Sequence, residues 1–266
     1  MHSREHMNAI RRFPVQKGSV AIWWLGQNGW IFKSPEGVVA TVDPYLSDSC
    51  ARIYGSLPID TRRQVPVFIN PEDLDVDLFL ATHSHADHAD PETISALPER
   101  VKQEARFVAP YEVLAGFEQA NINPENVLVF HPKQEWRFRD VTCIGAFALP
   151  TDGSDLNHIG FVLVFGNGPR VYVTGDTSYH PLFDCLQAQK IDVMLTCING
   201  GFNNLSPWEA ARATASVQPK LVIPCHFDMM AGNSIPPELF ENALKTAGCT
   251  SRCIRLAHME PFVYPS

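Results

Sequence analysis

The stretch ATHSHADHAD, Ala81–Asp90, places three histidines and two aspartates directly after the apolar run Val76-Asp77-Leu78-Phe79-Leu80. A short apolar run of this kind reads as a buried strand, so the polar cluster stands at a strand end. His83 and His85 are two residues apart, and in an extended backbone they face the same side. Asp87 and His88 follow in a turn and can reach a point beside the first pair. Imidazole with carboxylate suits zinc, manganese or iron, and the small Ala86 and Ala89 leave room for close approach to a metal. A polar surface loop is the bland alternative, but it does not account for four ligand side chains at the spacing HxHxDH. Asp90 reads differently. It precedes Pro91 and a helix-like segment, and Asp at the N-cap with Pro at N1 is how a helix starts.

Three further strand ends repeat the theme. RVYVTGD delivers Asp176, with Gly175 allowing a tight turn; KLVIPCH delivers His226; FALPTD delivers Asp152. A cap aspartate and a core histidine are the structural alternatives for Asp176 and His226 taken singly. Together with HxHxDH they point to ligands converging on one edge of a rigid core.

Working outward, SVAIWWLGQNGWIFKS reads as two strands broken at the turn Gly26-Gln27-Asn28-Gly29, and GVVATVDPYLSD as a strand closed by Asp43-Pro44. Trp23 and Trp24 fit the sheet core better than a substrate platform. Residues 47–74 show no clear period and contain Pro58, Pro66 and Pro71; this segment is a lid, a substrate wall or a plain connection. Beyond it strands and helices alternate. HIGFVLVFGNGPRVYVTGD reads as a hairpin, HPLFDCLQAQK, SPWEAARATASV and PPELFENALKTAG as helices, and IDVMLTC and KLVIPCH as strands. Ser206 with Glu209 forms a capping box. The pattern predicts an α/β fold of two β-sheets flanked by helices, a four-layer αββα sandwich.

The chain has 266 residues, 45% apolar and 19% charged, with a formal net charge of −8. With no linker or repeat dividing it, residues 1–266 read as a single domain. The acidic balance excludes nucleic acid as the main partner, and Arg11-Arg12 and Arg62-Arg63 read as solvated surface. No apolar run is long enough to span a membrane, and the N-terminal stretch lacks the apolar centre of a signal peptide; the expected location is cytoplasmic. Seven scattered cysteines fit reduced thiols better than disulfides or a zinc ribbon.

His83, His85, Asp87 and His88, then Gly175-Asp176, then His226 resemble the metallo-β-lactamase superfamily in order and spacing across nearly the whole chain. AIWWLGQNGWIFKS, VDPYLSD and VIPCHFDMMAGN are similar to the branch that contains L-ascorbate-6-phosphate lactonase. The resemblance implies an αββα sandwich and two divalent metal ions, zinc or manganese, with iron a third option. It implies that His83 and His85 bind the first metal, that Asp87, His88 and His226 bind the second, and that Asp176 bridges them. The superfamily usually has another histidine at a strand end ahead of the bridging aspartate. Here that place holds Thr151-Asp152, so either Asp152 supplies an oxygen ligand or His158 bends in from the loop; Asp152 fits the register.

The implied chemistry is hydrolysis by a metal-bridged hydroxide on a small polar ester or lactone, with a phosphorylated sugar-acid lactone as one form of substrate. Asp87 and Asp176 would orient the nucleophile and move its proton; His180 and Tyr179 would either stabilise the oxyanion or bind substrate, or lie at the surface or behind the site as support. Asn199 or Asn203, in the NGGFNN loop, would touch substrate. The competing readings are a phosphodiesterase on a small phosphodiester and a metal-binding protein without catalysis.

Overall fold

Val20, Ile22 and Trp24 face one side of their strand while Ala21, Trp23 and Leu25 face the other, and all six are buried. That alternation governs the architecture. A strand whose two faces are both covered carries apolar residues at every position, and it must lie between a second sheet and a layer of helices. The computed structural model describes residues 2–265.

Among the described residues fourteen strands form two seven-stranded sheets. The first contains β1 (Val20–Gly26), β2 (Gly29–Lys33), β3 (Val39–Val42), β4 (Leu78–Leu80), β5 (Arg106–Ala109) and β6 (Val127–Val129). The second contains β7 (Glu135–Phe138), β8 (Val141–Phe147), β9 (Ile159–Phe165), β10 (Arg170–Val173), β11 (Val193–Cys197), β12 (Leu221–Cys225) and β13 (Arg252–Cys253). β14 (Phe262–Tyr264) returns to pair with β1 at the edge of the first sheet. Each sheet is mixed: β1 to β3 and β7 to β10 run antiparallel to their neighbours, while β3 to β6 and β10 to β13 are parallel.

The inner faces meet in one core. Trp24, Trp30, Phe32 and Leu80 of the first sheet pack with Phe161, Leu163, Val173 and Ile223 of the second. Each fully buried side chain of this size contributes roughly 1.5–3 kcal/mol relative to exposure. The outer face of the first sheet, including Trp23, Phe79 and Phe107, is covered by α1 (Ser3–Arg12), α3 (Pro91–Ala96), α4 (Glu99–Glu104) and α5 (Leu114–Gln119), while α2 (Ser49–Ile53) lies in the segment between β3 and β4. The outer face of the second, with Tyr172, Met194 and Val222, lies under α6 (Pro207–Val217) and α7 (Glu238–Thr246). These are the four αββα layers expected from the strand pattern.

Local expectations mostly hold. Asp90 is buried and caps α3, accepting from Glu92 N at 3.2 Å and from the Thr93 hydroxyl. Ser206 and Glu209 form the capping box of α6, and Trp23 and Trp24 are core. The seven cysteines are free thiols. Three readings change. Pro181–Gln189 is 3-10 rather than α-helical. Residues 3–12, given no element beforehand, form α1 with Met7 and Ile10 buried. Arg11 and Arg63 are not merely solvated: Arg11 reaches Asp77 and Asp75 at 2.7 and 2.8 Å, tying α1 to the segment before β4. Arg63 donates to the carbonyls of Val65 and Tyr45, both at 2.6 Å.

No helix among the described residues is long and apolar enough to cross a membrane.

Candidate metal centre

The end of β4 opens into a loop held from both sides. Thr82 O accepts from Ile159 N at 3.0 Å, which ties the loop to the start of β9. His88 N and Ala89 N both donate to His85 O at 2.9 Å, and this single turn turns Asp87 and His88 back toward the first pair. His83 Nε2 and His85 Nδ1 come to 3.0 Å. At the end of β12 His226 takes a left-handed backbone, φ +59°, and its N–H donates to Gln27 O at 3.0 Å. A non-glycine residue is uncommon in that conformation, though histidine enters it more readily than most.

Three groups of side chains each bring their ligand atoms within 4.8 Å of one another: His83, His85 and His158; His83, His88 and Asp176; Asp87, His88 and His226. Six of the seven expected ligands are therefore gathered. Asp152 is not among them, and His158 stands in its place. The loop before β9 explains the difference. Asp152 Oδ1 is occupied by Ser154 N and Oγ at 2.7 and 2.6 Å, and its other oxygen lies 3.5 Å from His85 Nε2 at the half-exposed rim. Asp155 meanwhile accepts from Ser84 N at 2.6 Å and Asn157 N at 2.9 Å, which turns the chain so that His158 enters buried. His158 Nδ1 lies 3.0 Å from the Asp176 carbonyl, leaving Nε2 aimed at His83 and His85.

The electrostatics divide the cluster. Burial holds the imidazole of His83 well toward the neutral form and lowers that of His158 in the same direction. Burial acts the same way on His88 and His226, but there Asp176 and Asp87 outweigh it; His226 is pushed up to about 9 and His88 also rises. For Asp87 and Asp176 burial would raise the carboxyls, and the two histidines reverse this and hold both low. Asp176 Oδ1 lies 3.3 Å from both His88 Nε2 and His226 Nε2, and Asp87 Oδ2 is 3.3 Å from His226 Nε2.

A divalent metal fits this donor set. His88 Nε2, His158 Nε2 and Asp176 Oδ1 are buried and make no directed hydrogen bond despite their proximity. Buried polar atoms without partners are costly; these residues belong to groups of histidine and carboxylate donors whose ligand atoms lie within 4.8 Å of one another, the disposition of metal ligands. Second atoms of the same side chains are satisfied outward, as ligating histidines require. His88 Nδ1 is 2.8 Å from Asp43 Oδ2, His83 Nδ1 is 3.0 Å from Thr82 Oγ1, and Asp176 Oδ2 accepts from Asn204 Nδ2 at 2.6 Å.

Several of these supporting residues carry no motif. Asp43 is fully buried and also accepts from Asn28 Nδ2 at 2.6 Å, Thr82 N at 2.7 Å and Thr82 Oγ1 at 2.6 Å. Its signal was available, since ATVD ends a buried strand just as VTGD does, but Asp43-Pro44 reads equally well as a turn. Gln27, at φ +51° in the expected turn, donates to Asp87 Oδ2 at 2.6 Å. Nothing in the sequence distinguishes it from an ordinary turn residue, and the same holds for Asn204.

His180 and Tyr179 do not join the centre. The His180 ring stacks on Phe183 at 4.1 Å, and Tyr179 lies under the Arg212 guanidinium at 4.1 Å. Asn199 and Asn203 are also turned to protein partners, Asn233 Oδ1 at 3.0 Å and Thr151 O at 2.8 Å.

The sequence profile described as "Beta-lactamase superfamily domain" matches residues 21–226. A protein named UPF0173 metal-dependent hydrolase, from Thermodesulfovibrio yellowstonii, is 29% identical over 232 residues, covering 79% of each chain. Igni18, a metallo hydrolase from Ignicoccus hospitalis, superposes with a TM-score of 0.72 at 18% identity, over 93% of this chain and 99% of that one. An isothiocyanate hydrolase from Delia radicum gut bacteria superposes with a TM-score of 0.72 at 18% identity, over 91% and 98%. The two solved structures speak for the fold. The profile spans HxHxDH, Asp176 and His226 together: the chain belongs to the metallo-β-lactamase superfamily.

Proposed function

We propose that the protein is a metal-dependent hydrolase of a small ester or lactone, using two divalent cations, zinc or manganese. One observation carries this reading. The unpartnered donor atoms of His88, His158 and Asp176 belong to ligand groups whose members His85, Asp87, Asp176 and His226 line a cavity of about 290 Å³. The names of the curated relatives, metal-dependent hydrolases, support it.

His83, His85 and His158 would hold one cation, Asp87, His88 and His226 the other, with Asp176 between them. Bound divalent cations supply Lewis acidity and a water of lowered pKa. The chain's own groups do the rest. Water adds to the substrate's carbonyl carbon, the ester C–O bond breaks, and the water's proton ends on the leaving oxygen, giving acid and alcohol. Asp87 lines the cavity and is steadied by Gln27, so it is placed to carry that proton. Asn204 fixes one oxygen of Asp176 and leaves the other facing the histidines. Tyr54 lines the same cavity; its hydroxyl oxygen accepts from Ala86 N at 3.5 Å, leaving its proton to donate toward a carbonyl oxygen gaining charge. Burial raises that phenol to about 12, so it stays a donor at neutral pH.

The test is a panel of esters, lactones and phosphodiesters assayed with zinc-, manganese- and iron-loaded protein, beside His85→Ala and Asp176→Ala. Turnover of esters or lactones that both substitutions abolish is expected. Turnover of phosphodiesters alone would replace the reading with a phosphodiesterase, and metal binding without turnover would leave a binding protein.

A further inference from the structure

Beyond the centre, the large side chains of the cavity wall are Tyr54, Leu57, Ile59, Phe202 and Met230, and its polar members, such as Thr61 and Asn233, are uncharged apart from Asp152. No lysine or arginine lines it among the described residues. The arginines of the adjoining segment are engaged elsewhere: Arg52 with Glu92, Arg62 with Asp60 at 2.9 and 2.7 Å, and Arg63 with backbone carbonyls. A substrate phosphate calls for charge-assisted donors, above all arginine. The charged group that the wall adds to the cavity is instead a single carboxylate, Asp152 at the rim.

The wall is built rather than incidental. Gly232 packs so tightly that a Cβ there would lie 2.7 Å from Ile59 Cβ, and its N–H donates to Asp60 O at 3.0 Å. Gln64 N donates to Met229 O at 2.7 Å, which binds the same two segments a second time. Leu57 is 40% exposed and Phe202 is 53% exposed, Phe202 on a left-handed backbone at φ +54°. A bulky residue in that conformation is strained, and such strain gathers at ligand clamps. Apolar side chains kept facing an open cavity mark a surface meant to be covered by ligand.

We propose that the substrate is uncharged, an ester or lactone whose hydrocarbon group lies against Tyr54, Leu57, Ile59, Phe202 and Met230. This rests on the hydrolase reading above and replaces the expectation of a polar or phosphorylated substrate. Hydrolysis then leaves the new carboxylate at the centre and the hydrocarbon group against the wall.

The metal-loaded protein is assayed on ethyl acetate, ethyl butanoate and ethyl hexanoate, and on monoethyl adipate, which adds a terminal carboxylate. Gluconolactone is compared with its 6-phosphate. In parallel, calorimetry measures binding of methyl ketones of the same chain lengths, which cannot be hydrolysed. The expected result is a kcat/KM that rises roughly fourfold per methylene until the cavity is filled, the transfer free energy of a methylene expressed as a ratio, with each charged substrate slower than its neutral counterpart. Ketone affinity should rise in step. Leu57→Lys, at an exposed position, should flatten the chain-length dependence and favour monoethyl adipate relative to ethyl hexanoate. Hydrolysis with no chain-length dependence, or with the phosphorylated lactone preferred, overturns this inference and leaves the hydrolase reading intact. Ketone binding that rises with chain length without any ester or lactone turnover overturns the hydrolase reading, and with it the substrate named here, while keeping the wall as a surface for an apolar ligand. Neither binding nor turnover overturns both.

Discussion

Gly175 and Thr82 stand in such close contact that a Cβ on the glycine would lie 2.8 Å from the threonine's Cβ and 3.0 Å from its hydroxyl oxygen. The contact joins the end of β10 to the end of β4, and through it Asp176 is set against His83 and His88. Gly175 also has φ +63°, which L side chains rarely adopt. Gly175→Ala should therefore destabilise the fold by about 1–3 kcal/mol, from strain and overpacking together. It should also weaken metal binding, because Thr82 Oγ1 holds both Asp43 and His83. Urea unfolding beside metal analysis checks this; unchanged values for both would remove the contact from the site's support.

Asp43 fixes the tautomer and orientation of His88 through a carboxylate–imidazole contact of 2.8 Å. Outer partners of ligating histidines typically account for 10–100-fold in metal affinity or activity. Asp43→Asn keeps the side chain's shape while removing its charge, so metal affinity should fall by roughly that factor. Equilibrium dialysis against a chelator-buffered metal series measures it, and wild-type affinity in the variant would show that His88 needs no carboxylate behind it.

How far the site was legible can be judged from these same residues. HxHxDH, Asp176 and His226 stood out because dense ligand chemistry at the ends of buried strands has few structural uses. Asp43, Gln27 and Asn204 did not, since Asp before Pro and Asn or Gln beside Gly are ordinary turn chemistry. The choice between Asp152 and His158 turned on a loop whose path is set by side chain to backbone bonds from Asp152 and Asp155, which no periodicity reveals. The two sheets were legible because alternation inside fully buried strands is a property of sequence. The cavity wall was not: Tyr54, Leu57 and Ile59 lie in an aperiodic segment, and only its packing on Gly232 and Met229 turns them toward the site.

Removing metal should cost stability as well as activity. A ligand at a hundred times its dissociation constant stabilises the folded chain by about 2.7 kcal/mol, and in a chain of this size each kcal/mol moves Tm by about 2–4 °C. Treatment with a chelator should lower Tm by roughly 5–10 °C per site occupied at that excess, and zinc or manganese should restore it. Differential scanning calorimetry decides the matter; a Tm indifferent to chelator and to added metal would contradict the reading of His88 Nε2, His158 Nε2 and Asp176 Oδ1 as ligand atoms.

The two candidates for the first group can be separated directly. His158 is buried with Nε2 turned inward, whereas Asp152 sits half exposed with one oxygen taken up by Ser154. His158→Ala should lower the number of metal ions bound by about one per chain if His83, His85 and His158 form one site of the two-metal arrangement. Asp152→Ala should leave that number unchanged. Metal stoichiometry after loading and desalting reads both variants, and the opposite ranking would restore Asp152 to the ligand set.

Tyr54 offers the sharpest test of the mechanism, because its hydroxyl touches no proposed ligand while it lines the cavity they share. A donor aimed at an oxygen that gains charge contributes mainly in the transition state, and loss of one such donor typically lowers kcat by 10²–10³-fold. Tyr54→Phe keeps the ring, and with it the apolar wall, so ground-state binding is largely preserved. Its effect should therefore fall on kcat, by about that factor, with KM little changed. Metal content should match the wild type. A rise in KM at constant kcat would instead make Tyr54 a binding surface only, and the oxyanion would have to be stabilised without it.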